Sequence, residues 1–84
     1  EEDLDIINDS LLERVVSKAF QKLKPDQQFV LSLYSEGHSY VDIALKMSLK
    51  NETYARRKKY LSKEALLELV KEDPEYQEYL RYLK

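Results

Sequence analysis

The sequence predicts an all-α fold, a small five-helix domain containing a helix-turn-helix, with no sheet. Three observations carry that expectation. The 84 residues include one Gly and two Pro, too few turn-formers for a sandwich or barrel. Apolar residues recur at spacings of three and four, the period of a helix with one packed face. Helix-start signals stand at Ser10, Ser39, Asn51 and Asp73, each ahead of such a run. With 43% hydrophobic and 36% charged residues the chain is globular and not disordered, and its length leaves room for one core.

Each helix has its own justification. Ser10-Leu-Leu-Glu13 is a capping box, so helix one is expected over about 10–24, with Leu12, Val15, Val16, Ala19, Phe20 and Leu23 as its stripe and Pro25 as its stop. Residues 1–9 form an acidic segment expected to fray, although Leu4, Ile6 and Ile7 could dock on the core. Pro25 suits a first helical turn, and Gly37 ends helix two at about 36, after Phe29, Val30, Leu33 and Tyr34. Ser39-Tyr-Val-Asp42 is a second capping box and opens a short helix three, about 40–47, with Tyr40, Ile43, Ala44 and Met47 inward. Asn51 then caps the longest helix, from Glu52 to about Val70, and Asp73-Pro74-Glu75 starts helix five, about 74–83. Leu12, Val15, Phe20, Phe29, Leu33, Ile43, Ala44, Leu61 and Leu66 are expected to share one core within residues 10–84, with the helix-turn-helix at about 39–66.

Composition removes several functional classes. There is no cysteine, so disulfides, thiol nucleophiles and cysteine-ligated metals are absent. No apolar run approaches the length of a membrane span, and the acidic start Glu1-Glu2-Asp3 does not resemble a signal peptide, which together favour a soluble, cytoplasmic protein. The chain begins without Met, as expected of a domain cut from a longer protein. His38 is the only imidazole and belongs to a loop or cap, and a single Gly cannot build a phosphate-cradling loop, so neither an enzyme nor a metal or other cofactor is expected. Tyr76, Tyr79 and Tyr82 are expected to pack helix five against helix four.

Charge is concentrated along the chain. Residues 46–63 hold seven bases, Lys46, Lys50, Arg56, Arg57, Lys58, Lys59 and Lys63, against the one acid Glu52, while the whole chain carries −2. Residues 1–13 hold six acids and no base. A basic surface on an acidic body can bind a polyanion while the body limits promiscuous attachment; the plainer reading is a solvated helix face. At ~100° per residue from Arg56, Tyr54, Leu61, Ala65 and Leu69 fall between about 140° and 220°, and Glu52, Arg56, Lys59, Tyr60 and Lys63 within about 60° of zero. A short helix, a tight turn and a longer helix with an outward cationic stripe are the parts of a major-groove reader. Lys58, on the packed side, must reach past the core, and Glu52 at the helix start favours the macrodipole.

Two stretches resemble a known family. Lys22-Leu-Lys-Pro-Asp-Gln-Gln-Phe-Val-Leu-Ser-Leu-Tyr34 and Glu36-Gly-His-Ser-Tyr-Val-Asp-Ile-Ala-Leu-Lys-Met47, followed by a basic helix, are similar to region 4 of bacterial RNA polymerase sigma factors of the sigma-70 family. The resemblance spans about residues 10–70 and is most specific from Gly37 to Ala44. It implies a sigma region 4-like fold, binding of double-stranded promoter DNA at the −35 element, docking on the β flap of RNA polymerase core, and a nucleoid location; an anti-sigma protein is a further partner of such domains. It also implies that Arg56, Lys59 and Tyr60 face bases and that Thr53, Arg57 and Lys63 lie nearer phosphates, with Lys50 in the turn beside them. The sequence departs from the family pattern at Ser48, where glycine is frequent, and at Lys58, where an aliphatic residue is frequent. The alternatives are another helix-turn-helix transcriptional regulator, of response-regulator or phage type, and an acidic helical protein-interaction module.

Overall fold

The computed structural model describes residues 2–83, and side chains from 10 to 82. It contains five helices, α1 Glu2–Gln21, α2 Pro25–Ser35, α3 Tyr40–Lys46, α4 Glu52–Glu72 and α5 Pro74–Leu83, with no strand among the described residues. The chain separates into two compact units: residues 1–22 with 66–84, and residues 23–65.

The unit of residues 23–65 holds α2, α3 and the first part of α4, and its local geometry follows from its caps. Pro25 sits at the first helical position of α2, and the Lys24 backbone N–H is satisfied by Gln27 Oε1 at 3.0 Å. At the other end of α2, Gly37 has φ +95°; its N–H donates to the Tyr34 carbonyl and that of His38 to Leu33. This pair of bonds is a Schellman closure, and the left-handed residue it needs is the chain's glycine. Ser39 Oγ accepts from the Asp42 N–H at 3.1 Å to start α3. A second Schellman closure ends α3, with Ser48 N–H to Leu45 O and Leu49 N–H to Ala44 O, and Ser48 takes φ +56°. Asn51 Oδ1 then accepts from Thr53 and Tyr54 at 3.0 and 3.2 Å, opening α4. Val30, Leu33, Ile43, Ala44 and Ala55 form the core, covered by Leu31, Tyr40, Met47 and Leu49.

The other unit packs Val15 and Ala19 of α1 with Val70 of α4, under Leu11, Leu66, Leu69 and Tyr76. Asp73 caps α5, its Oδ1 accepting from the Glu75 N–H at 2.8 Å. Arg14 Nη2 lies 2.6 Å from Glu75 Oε2, and Lys18 Nζ lies 2.5 Å from Glu75 Oε1 and 3.3 Å from Asp73 Oδ2. Tyr76 and Tyr79 stack at 6.3 Å between ring centres, whereas Tyr82 is exposed.

Three expectations are corrected. The helix expected over 10–24 opens at Glu2, so it runs through the Ser10 box, and the backbone of the segment expected to fray continues it. Glu2, Asp3 and Asp5 in the opening turns favour the helix dipole, which needs no capping hydroxyl. Whether Leu4, Ile6 and Ile7 dock lies outside the described side chains. The single expected core is instead two clusters, with Val15 in one and Leu33, Ile43 and Ala44 in the other. Leu12, Phe20, Phe29 and Leu61 belong to neither, the first two half-buried and the last two at 45% and 52% exposure. On α2 the buried line runs between Val30 and Leu33, which puts Phe29 about 70° off it.

Candidate nucleic-acid interface

The buried residues in the first part of α4 are small. Ala55 and Ser62 are fully buried, at about 260° and 240° from Arg56, so the packed face is centred roughly 70° round from where Tyr54, Leu61 and Ala65 place it. A hydrophobicity stripe misses this seam because neither alanine nor serine marks it. Tyr54 and Leu61 are consequently half exposed and, with Leu49, Arg57 and Lys58, line an open groove of about 190 Å³. The face opposite the seam presents Thr53, Arg57 and Tyr60, all exposed.

Arg56 and Lys59 lie on the flank of that face and do not project freely. The Arg56 guanidinium carbon sits 4.8 Å from the centre of the Tyr40 ring, and Lys59 Nζ sits 4.2 Å from that of Tyr34. The two rings stack at 5.8 Å, 24° from parallel. The result is one ladder, Arg56, Tyr40, Tyr34, Lys59, that joins α2, α3 and α4. Burial raises the Tyr40 hydroxyl above its ordinary pKa, with Tyr34 adding to the rise and Arg56 opposing it. Arg56, Tyr60 and Lys63 are exposed, as is Lys50 in the turn, while Lys59 is half-buried. Of the seven expected site residues, the structure thus brings Thr53, Arg57 and Tyr60 onto the open face, seats Arg56 and Lys59 on rings beside it, and leaves Lys63 and Lys50 exposed further along.

Lys58 resolves locally, through an ion pair with Asp26 of α2 whose ammonium holds the Asp26 carboxyl below its usual range. Among the described residues no carboxylate pairs with Arg56, Arg57, Lys59 or Lys63. Their charge is available. His38 lies in the turn between α2 and α3, with Nε2 3.5 Å from Glu36 Oε1 and Nδ1 3.9 Å from Asp42 Oδ2. Among the described residues no group of His, Asp or Glu is placed to hold a metal ion, and no helix is long and apolar enough to cross a membrane.

Tyr34 and Tyr40 are the residues the sequence reading missed as parts of this site, because both sit on apolar stripes and read as core. Their signal is position: they occupy the facing ends of two helices joined through Gly37, an arrangement that brings the rings together. Comparison of the chain with protein-family models, curated proteins and solved structures gives no match.

Proposed function

We propose that residues 23–65 are a helix-turn-helix DNA-binding module, the −35 promoter-recognition module of a sigma-like transcription initiation factor that also docks on RNA polymerase core. The observation that carries the reading is the open face of α4, where Thr53, Arg57 and Tyr60 are flanked by cations without carboxylate partners, directly after a short helix and a closed turn. Guanidinium, hydroxyl and phenol groups on one helix face can address base edges while flanking cations meet phosphates. The sigma-like part of the reading rests on the Gly37 to Ala44 stretch, and both departures from that pattern are accommodated: Ser48 adopts the left-handed conformation glycine would take, and Lys58 pairs with Asp26. Base reading on this geometry falls to Arg57, with Arg56 and Lys59 turned towards the backbone. The chemistry proposed is binding and not catalysis, in the cytoplasm at the nucleoid, with an anti-sigma protein as a further partner.

The exposed apolar groove beside Arg57 favours a second reading, a protein-interaction module. Titration of the 84-residue chain with random-sequence duplex DNA across a range of salt separates the two. DNA binding should weaken steeply with salt, by about −0.9 in the slope of log K against log salt for each phosphate neutralised. Arg57→Ala should cost about 1 to 3 kcal/mol on a site selected in the presence of polymerase and flatten discrimination there, while Arg14→Gln, which removes a cation already paired with Glu75, should leave the slope unchanged. No binding at low salt would sink the DNA reading and leave the interaction module.

A further inference from the structure

Arg56 and Lys59 are long, flexible cations at a surface, and such side chains ordinarily lose much rotamer freedom when they engage a partner. Here each is already seated on an aromatic face, 4.8 and 4.2 Å from the ring centre, and the two rings brace each other across α2 and α3. A carboxylate would hold a cation equally well but would cancel its charge. A ring quadrupole attracts the cation without neutralising it, so the charge stays available to an anion. Tyr34 is 44% exposed and Tyr40 packs against the core, so the ladder is anchored at one end and open at the other.

The geometry points to Tyr34 and Tyr40 as positioning residues of the nucleic-acid interface, which hold Arg56 and Lys59 pre-ordered to meet backbone phosphates along one flank of the face that Arg57 presents. This inference rests on the DNA-binding reading and assigns it a division of labour. The phosphate clamps are set by rings on α2 and α3, and sequence is left to the open face of α4. Tyr34 and Tyr40 act through the cations they hold and need no contact with DNA themselves.

The test is a pair of mutant cycles on the full 84-residue chain, titrated with a random-sequence duplex at several salt concentrations. Lys59→Gln removes a charge and should lower the salt slope by about 0.9. Tyr34→Leu removes only the ring and should weaken binding about two- to fivefold at low salt with the slope unchanged. Tyr34→Phe keeps the ring that holds Lys59, giving up only the hydroxyl contact with Tyr40, and should lose less than Tyr34→Leu. Introduced into a chain carrying both Arg56→Gln and Lys59→Gln, Tyr34→Leu should have no further effect, since the ladder then has no cation to hold. The Tyr40 and Arg56 cycle should behave alike, read only in variants whose melting curves remain cooperative, because Tyr40 also packs the core; Tyr34, at the open end, keeps the test decisive if Tyr40→Leu unfolds. A loss from Tyr34→Leu that persists when both cations are removed, or an equal loss from Tyr34→Phe, would overturn the positioning role alone. Failure of the unaltered chain to bind DNA at any salt would remove the reading beneath it, and the inference with it.

Discussion

In the unit made of residues 1–22 and 66–84, Arg14 and Lys18 close onto Asp73 and Glu75, whereas in residues 23–65 Arg56 and Lys59 rest on Tyr40 and Tyr34. The same two residue types are immobilised in both places, but by partners of different charge. Carboxylates consume the cation's field, and these four side chains become a neutral brace that ties α5 to α1. Aromatic faces fix the cation and leave its field intact, as the proposed binding of a polyanion would require. Lys58 with Asp26 shows that the second unit can also neutralise a cation, on the side of α4 away from the open face.

The largest expected effect concerns the cores beneath these surfaces. Ile43 is fully buried at the centre of the second cluster, so Ile43→Ala should cost about 2 to 5 kcal/mol in chemical denaturation. Phe29→Ala, on a ring that is 45% exposed, should cost at most about 1 kcal/mol. Comparable losses from the two would mean that α2 turns a different face inward from the one described, and that the ladder built on Tyr34 is misplaced with it.

Legibility in the sequence followed the size of the signal. Ser39, Asn51 and Asp73 announce their helices because a short side-chain acceptor beside a free amide has few other uses, and all three cap as read. Gly37 announces a stop because only glycine takes a left-handed φ without strain. The α4 seam was illegible for the converse reason: Ala55 and Ser62 are both buried, and neither residue type marks a packed face in a sequence. That error of about 70° is what moved Arg56 and Lys59 from the open face to its flank. The cationic stretch itself was plain from sequence; which cations are held, and by what, depends on tertiary contacts between residues some twenty positions apart.

Acid should act on the two units unequally. The Glu75 carboxyl is held down to about 2 by hydrogen bonds from Arg14 and Lys18. Burial works against ionisation of Asp73, but the Glu75 N–H and the Lys18 ammonium outweigh it and keep that carboxyl below its usual range too. Folded-state values below the unfolded ones mean that this contribution is fully present above the ordinary carboxylate range, near pH 4.5, and is lost as pH falls towards 2. The ladder of the second unit contains no carboxylate, and there acid gains purchase only at Asp26, among the shifted groups. Residue-resolved NMR during an acid titration should therefore show Val15 and Tyr76 losing their folded signals before Tyr34 and Tyr40. Glu75→Gln should flatten the acid dependence of the first unit and leave that of the second as it was. Simultaneous loss, insensitive to Glu75→Gln, would show that the ion network does not distinguish the units.

The smallest effect lies inside the second unit, where two helices end in the same closure with different residues at the left-handed position. α2 uses Gly37 at φ +95° and α3 uses Ser48 at φ +56°. A Cβ costs an L-residue roughly 1 to 2 kcal/mol in that region, partly offset because glycine has more backbone freedom to lose on folding. Ser48→Gly should therefore stabilise the chain by about 0.5 to 1 kcal/mol, and Gly37→Ala should destabilise it by about 1 kcal/mol. A Cβ at Gly37 would meet nothing within 4 Å, so the cost there is backbone strain alone and not a clash. The comparison becomes sharper if DNA affinity is measured on both variants. Gly37 sets the approach of Tyr34 to Tyr40, on which Arg56 and Lys59 rest, whereas glycine at Ser48 would keep the turn into α4 as it is. Gly37→Ala should thus weaken DNA binding under conditions where the variant is still fully folded, and Ser48→Gly should leave binding unchanged while raising the melting temperature. If Ser48→Gly lowers stability, the turn after α3 does not close through a left-handed residue and the register of α4 must be redrawn.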